Sequence, residues 1–448
     1  MKNNKGITLV ALVVTIVVLL ILAGVSINLV LGNNGIIAKA KDAETKSAEA
    51  SQNDLKGMNG LVSEMEGALA GNGSTGSGSG NGGAGGSGAD TKVPAEATAE
   101  TAPYFPDNTF TKKEGTIDTG LVIQDASGNE YVWVVVPKSL YNNTNYNSNN
   151  TKKPSSSTDY ANIEYCLQQY TVTYRNGTSF FDVYYADDKN VGWFADATAY
   201  NNLKNSMLKS VYENGGFYVG RYEAGIDTTT GTNRTSIESQ VDGKYPVPTT
   251  APVTKADAYP YTYVTRTQAQ NLASNVNSGT KTSSLMFGVQ WDLVLAFMHN
   301  KGNIEDSTLT SNSTTIGNYY NSTFDLDRGK YAQFGQLGNT WKNFDSALDS
   351  IVVSNETTGK MKKTEQNSYQ NGILLTTGGT EQSKVMNIYD IAGNVCEWTL
   401  EKTSNTYDQC VARGGLFNDT GSYRPAADHD GNSSGHSFYS IGFRVSIF

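Results

Sequence analysis

The feature that most constrains this chain lies near its start. After Lys2 and Lys5 no charged residue occurs from Gly6 to Ala38, and Ile7–Leu31 is almost wholly apolar. At ~1.5 Å of rise per residue that run is long enough to cross ~30 Å of hydrocarbon. Lipid offers backbone groups no hydrogen-bond partners, so a single span must be a helix. The expectation is a transmembrane helix over residues 7–31, with the basic head on the cytoplasmic side. The breaker Gly32-Asn33-Asn34-Gly35 follows. The Ala/Lys/Glu-rich run after it carries a weak apolar stripe through Ile36, Ile37, Ala40, Ala43, Leu55, Met58, Val62 and Met65. That spacing predicts a helical stalk over residues 36–69.

Residues 70–102 are Gly/Ser-rich and then Ala/Thr/Glu/Pro-rich, a composition that cannot bury a core. They read as a flexible linker, spanning on the order of 30 Å r.m.s.. From residue 103 to 448 the pattern changes to short β-rich runs between polar loops: GLVIQ (120–124), YVWVVVP (131–137), GFYVGRYEAG (216–225) and IGFRVSIF (441–448). Helical patterns occur at Thr265–Val276 and Gly288–His299, while Tyr141–Asp159 and Ile304–Asp345 read as loops. Strands and helices do not alternate as βαβ units, which predicts an α+β domain.

Charge and cysteine usage narrow the function. Only 17% of residues are charged, there are 26 Tyr, and the net charge is −9 with no basic stripe. Phosphate neutralisation therefore has no footprint, and nucleic acid is excluded as a partner. The cysteines are Cys166, Cys396 and Cys410, without CxxC spacing, and the histidines are His299, His429 and His436. Zinc and thioredoxin-like chemistry have no ligand pattern here. Cys396 and Cys410 flank a hairpin-like connection, where either a disulfide or two buried thiols is consistent with an extracellular setting.

The short basic leader, Gly6 and the uninterrupted apolar run resemble the class III leader of type IV pilins and pseudopilins. The resemblance implies cleavage between Gly6 and Ile7 by a prepilin peptidase, with residues 1–6 as the leader. That family carries Phe at the first mature position and Glu at the fifth. This chain has Ile7 and Ala11, which points away from a bulk filament subunit.

A second set of motifs runs in order from residue 131: YVWVVVP, FYVGRYEAG, SLMFGVQWDLVLAF, NIYDIAGNVCEWTLE, VARGGLFND, YRPA and IGFRVS. This series resembles the formylglycine-generating-enzyme (sulfatase-modifying-factor) family, a variant of the C-type-lectin fold. The resemblance implies a structural Ca²⁺ held by the side chains of Asp390 and Glu397 and the carbonyls of Gly393 and Val395, hard oxygen donors on a tight turn. The enzymes of that family use a cysteine pair between the RGG and GFR motifs. The matching stretch, Arg413–Arg444, contains no cysteine, and no upstream His cluster of the non-haem iron type exists. The expectation is a protein that is not an enzyme.

Leu416–Ser440 is dense in Asn, Asp, Ser, Tyr and His. It resembles the variable region of proteins diversified by retroelements, which share this fold. Such residue types suit a binding face, with rigid aromatic area and adaptable hydrogen bonding. The expected contacts are Asn418, Tyr423, Arg424, Asp428, His429, Asp430, Asn432, His436, Phe438 and Tyr439. Together these readings predict a single-pass cell-membrane protein. Its extracellular lectin-fold head would bind a protein or glycan on another cell or a phage. A formylglycine or non-haem-iron enzyme and a structural minor pilin are the alternatives.

Overall fold

A computed structural model of the chain describes residues 96–175, 179–186, 193–335 and 340–448. These fall within a unit spanning Ser87–Phe448. The expected leader, membrane helix and stalk, with the Gly6–Ile7 cleavage position, lie outside the described residues. Among the described residues no helix is long and apolar enough to cross a membrane.

Two sheets organise the unit. In chain order their strands are β1 (Thr111–Glu114), β2 (Val122–Gln124), β3 (Glu130–Val135), β4 (Phe180–Phe181), β5 (Gly216–Gly220) and β6 (Ser283–Leu285). The remainder are β7 (Cys396–Thr403), β8 (Cys410–Arg413), β9 (His429–Asn432), β10 (Ile441–Phe443) and β11 (Val445–Ile447). The first sheet runs β1-β2-β3-β5-β11-β6 and is antiparallel throughout. The second runs β9-β8-β7-β10, with β10 parallel to β7 and β4 antiparallel to it. Helices α1 (Tyr160–Tyr170), α2 (Ala197–Asn214), α3 (Arg266–Ser274), α4 (Gly288–Asn300) and α5 (Asp306–Thr310) complete the α+β arrangement.

The strand-forming stretches owe their shape to β-branched and aromatic residues that bury on both faces. Tyr131–Val134 of β3 and Phe217–Val219 of β5 are fully buried. Trp133 packs edge-on against Tyr218 at 4.8 Å and Tyr104 at 5.4 Å. Its Nε1 donates to Thr101 Oγ1 at 2.8 Å, which in turn donates to the Gly215 carbonyl at 2.7 Å. Glu96 is also buried, accepts from the Ile117 amide at 3.0 Å and pairs with Lys112 at 2.7 Å. Glu96 and Thr101, in the stretch expected to be linker, therefore anchor it to the head, because each places a polar group where a partner is offered, while residues 97–100 between them are exposed.

The helical patterns at 265–276 and 288–299 match α3 and α4. Thr265 and Gln268 form a reciprocal cap at the start of α3. Helices α1 and α2 are not evident from apolar periodicity, because α1 is rich in Tyr and Gln and α2 in Asn, Tyr and Lys. Their boundaries were nevertheless written in the chain at α2, where Asp196 caps the Ala199 amide at 2.8 Å and Gly215 takes φ 66° at the far end.

The IGFRVSIF stretch is not one strand. It splits into β10 and β11, which belong to different sheets, with Arg444 at the crossing. Likewise the chain leaves β5 after Gly220, and Gly225–Asp227 pairs instead with Ala258–Pro260. The stretch expected as a long loop at 304–345 carries α5 and three short strands, Phe324–Asp325, Lys330–Gln333 and Lys342–Asn343. Lys330–Gln333 is the centre of a small sheet between Lys342–Asn343 and Ile373–Leu375. That sheet brings Phe334 and Trp341 beside the terminal segment.

Candidate ligand-binding face

The segment Leu416–Ser440 is held between two fully buried arginines. At its start, Arg413 of β8 places Nη2 2.7 Å from Asp292 Oδ1 and Nη1 3.1 Å from Glu401 Oε2. Burial would push the Glu401 carboxyl up, but Arg413 and His429 beside it hold it down to about 2. Beyond its end, Arg444 places Nε 3.1 and 3.0 Å from the two oxygens of Glu397 and Nη2 2.6 Å from Oε1. Arg444 also donates to the Gly220 and Tyr389 carbonyls at 2.9 and 2.8 Å. Buried charges survive only when paired and hydrogen-bonded, and these two are.

Between these posts the backbone is fastened along its inner side. Phe417 N donates to Asn394 O at 2.9 Å, Ala426 N to Ser313 Oγ at 2.8 Å, and Ala427 N to Leu309 O at 2.9 Å. Tyr319 Oη donates to Arg424 O at 2.8 Å, and Trp291 Nε1 to Ala426 O at 2.9 Å. Residues 429–432 form β9 against β8. Further on, Tyr263 N donates to Phe438 O at 3.0 Å and Cys396 N to Ser440 O at 3.0 Å. The result is a fixed backbone whose outer side chains are presented to solvent.

The ten expected contacts divide into three groups. Tyr423 and Phe438 are exposed, at 70% and 45%. Arg424, Asp428, Asp430, His436 and Tyr439 are half-buried on the same segment. Asn418, His429 and Asn432 are buried, which corrects their expected placement as exposed contacts. His429 lies opposite Arg413 in the β8–β9 register, against the Phe180 ring at 4.2 Å and with Nε2 3.5 Å from Glu401. Asn432 faces Cys410 across the same ladder, and its Nδ2 donates to the Asp430 carbonyl at 3.1 Å. The strand pairing places both inward. Asn418 follows the fully buried Phe417, and its backbone passes directly over Gly372, where a Cβ would approach the Asn418 Cα to 3.0 Å.

An aromatic surface forms around the end of this segment. Tyr439 meets Phe334 at 5.5 Å and Phe417 at 6.1 Å, and Phe438 meets His436 at 4.3 Å and Tyr439 at 6.1 Å. Phe334 also meets Tyr369, itself 50% exposed, at 5.5 Å. Phe334, Trp341, Tyr369 and Tyr263 were absent from the sequence-derived set. They reach the face from remote stretches of chain, so no local pattern announced them.

Beside the aromatics lies a charge cluster. Arg424 Nε stands 3.0 Å from Asp419 Oδ2, and its Nη1 stands 2.6 Å from Asp430 and 3.9 Å from Asp428. Burial raises the Asp419 and Asp428 carboxyls above the ordinary range, partly offset by Arg424. Asn418 connects cluster and aromatics: it adjoins Asp419 in the chain and lies beside Tyr439, and its Oδ1 is buried without a donor.

The calcium expectation meets a different arrangement. Both Glu397 oxygens take Arg444. Asp390 Oδ2 accepts from the Gly378 amide at 2.8 Å and Oδ1 from Ser383 Oγ at 2.6 Å. The positive charge beside these carboxylates is a guanidinium, so the residues present do not fit a resident cation. Gly393 and Asn394 do make the expected tight turn, with φ 73° and 58°. Its role is to aim the Asn394 side chain inward, where Nδ2 donates to Glu223 Oε2 at 2.7 Å. Among the described residues no group of three or more His, Cys, Asp or Glu is arranged to hold a metal ion.

The disulfide alternative is corrected as well. Cys396 and Cys410 are free, buried thiols. Cys410 pairs with Lys402, while Cys396 lies at the opposite end of β7, where Glu397 pairs with Arg413. Along β8 the position level with Cys396 is about four residues from Cys410, roughly 13 Å at ~3.3 Å per residue, beyond the ~7 Å Cα limit for a disulfide.

No protein-family model matches this chain, and no curated protein matches it. Among solved structures it is similar to Treponema denticola variable protein 1, at 14% identity over 52% of this chain and 84% of that chain, with a TM-score of 0.23. A likeness at that score leaves fold and function to rest on the residues of the chain itself.

Proposed function

We propose that this protein is a ligand-binding protein whose head presents the Leu416–Ser440 face to a partner. The observation that carries the reading is the contrast between the two sides of that segment. Its inner side is fixed by buried ion pairs and main-chain bonds, while Tyr423 and Phe438 stand exposed on its outer side. Large aromatic side chains normally bury much of their area, and a rigid backbone that holds two of them outward beside a charge cluster suits a binding surface.

The finer reading is a lectin-fold head on a pilin-like membrane anchor, displayed at the cell surface. It is supported by the motif order from residue 131 and by the uncharged run Ile7–Leu31 after a short basic leader. No catalytic step is part of it: the two thiols nearest the face are held on opposite ends of one hairpin.

The test is an array of purified surface proteins and glycans probed with the full chain and with Tyr423→Ala/Phe438→Ala. A bound component lost with the double variant supports the reading. Components bound equally by both proteins, or none bound, would overturn it.

A further inference from the structure

The ligand-binding reading names a face but not the chemistry it accepts. Three features of that face, each independent of the others, converge on one answer.

The first is a charge imbalance. Asp419, Asp428 and Asp430 surround Arg424, the one guanidinium they pair with, while Arg413 and His429 near Asp428 are engaged by Asp292 and Glu401. The three carboxylates and Arg424 are half-buried, where neither water nor salt compensates charge as well as at a free surface. The second is an unpaired acceptor. Asn418 is only 8% exposed, its Oδ1 has no donor, and it sits between Asp419 in the chain and Tyr439 in space. A buried acceptor left alone is unfavourable. A donor brought by a partner would recover that cost. The third is aromatic area: the exposed Phe438 meets Tyr439 edge-on at 6.1 Å, and the two rings offer apolar surface to the methylene stem of a cation, while the Tyr423 ring already lies under Arg424.

We propose that this face takes a lysine or arginine side chain of a protein partner, seated among Asp419, Asp428, Asp430 and the Asn418 oxygen. The stem lies against Phe438 and Tyr439, and the donors complete what Arg424 alone leaves unmatched. The inference rests on the ligand-binding reading and specifies its ligand.

The experiment measures affinity of the full chain for a tetra-arginine peptide, a tetra-glutamate peptide and a neutral Gly/Ser peptide. Variants are Asp419→Asn/Asp430→Asn, the milder Asp428→Asn, and a control, Glu213→Gln/Glu356→Gln, which removes two exposed acids elsewhere. Thermal melts establish that each variant is folded, and Asp428→Asn carries the test if the double variant is not. The expected result is binding of the arginine peptide alone, weakened at least about tenfold by the face variants, unchanged in the control, and weakened further between about 50 and about 500 mM salt. Equal loss in the control would reduce the effect to the net charge of −9 and overturn the proposal. No binding of the arginine peptide, or preference for the glutamate peptide, would do the same. An array ligand that depends on Tyr423 and Phe438 but not on the Asp variants would overturn this proposal and leave the ligand-binding reading standing.

Discussion

Arg444 holds Glu397 by both carboxylate oxygens, at 3.1 and 3.0 Å from Nε and 2.6 Å from Nη2, with neither side chain exposed to solvent. The pair ties the crossing between the last two strands to the first residues of β7, and so fixes the far end of the binding face. Removing one partner would strand the other as a buried charge. Arg444→Ala is expected to lose about 3–5 kcal/mol, read as a lowered urea midpoint. A midpoint within error of wild type would remove Arg444 from this role.

The same pair bears on metal dependence. Because Arg444 supplies the positive charge at Glu397, and Ser383 and Gly378 satisfy Asp390, the melting temperature is expected not to change on adding EDTA. A drop of several degrees with chelator, restored by Ca²⁺, would show that a cation displaces the guanidinium.

The thiols give a chemical test of the β7–β8 register. Cys396 and Cys410 are buried, and burial raises the Cys396 thiol well above its ordinary range. Little Cys396 thiolate forms and both thiols are enclosed, so both should resist a thiol reagent in the native state and react once unfolded. Mass mapping without reductant should find no linked Cys396–Cys410 peptide. A linked peptide would mean that the hairpin register is different.

Glu223 gives the pH dependence. It is fully buried, and burial, then Asp390 and Glu397 nearby, raise its carboxyl well above the ordinary value of 4.5. A group raised in the folded state contributes stability that is full below its unfolded value and is lost as pH rises toward its folded value. Glu223→Gln cannot titrate. The stability difference between wild type and this variant is therefore expected to move against the wild type as pH rises above about 5. A difference constant from pH 5 to 9 would mean that Glu223 is ionised throughout.

Much of the frame was legible in the sequence, and the reasons are local. The helix at Gly288 and the strands around Tyr131 and Phe217 announce themselves by apolar runs with the right periodicity and length. The order of buried motifs located both arginine posts, Arg413 and Arg444. What was not legible depended on chain segments meeting from afar. The cation at Glu397 could be an ion or a guanidinium, and only the crossing of β10 and β11 places Arg444 there. His429 and Asn432 read as exposed contacts because β9 is short, polar and stabilised by its neighbour β8 rather than by its own pattern. Phe334, Trp341 and Tyr369 join the face only through the small sheet centred on Lys330–Gln333.

The central claim, that the outer side of Leu416–Ser440 is a binding surface and not part of the core, makes opposite demands on binding and stability. Affinity of the full chain and of Tyr423→Ala/Phe438→Ala for a ligand found on the array, measured alongside their urea midpoints, tests it most directly. The account predicts that binding is lost while stability stays within about 0.5 kcal/mol per substitution. Unchanged affinity, or a binding loss that only tracks unfolding, would contradict it.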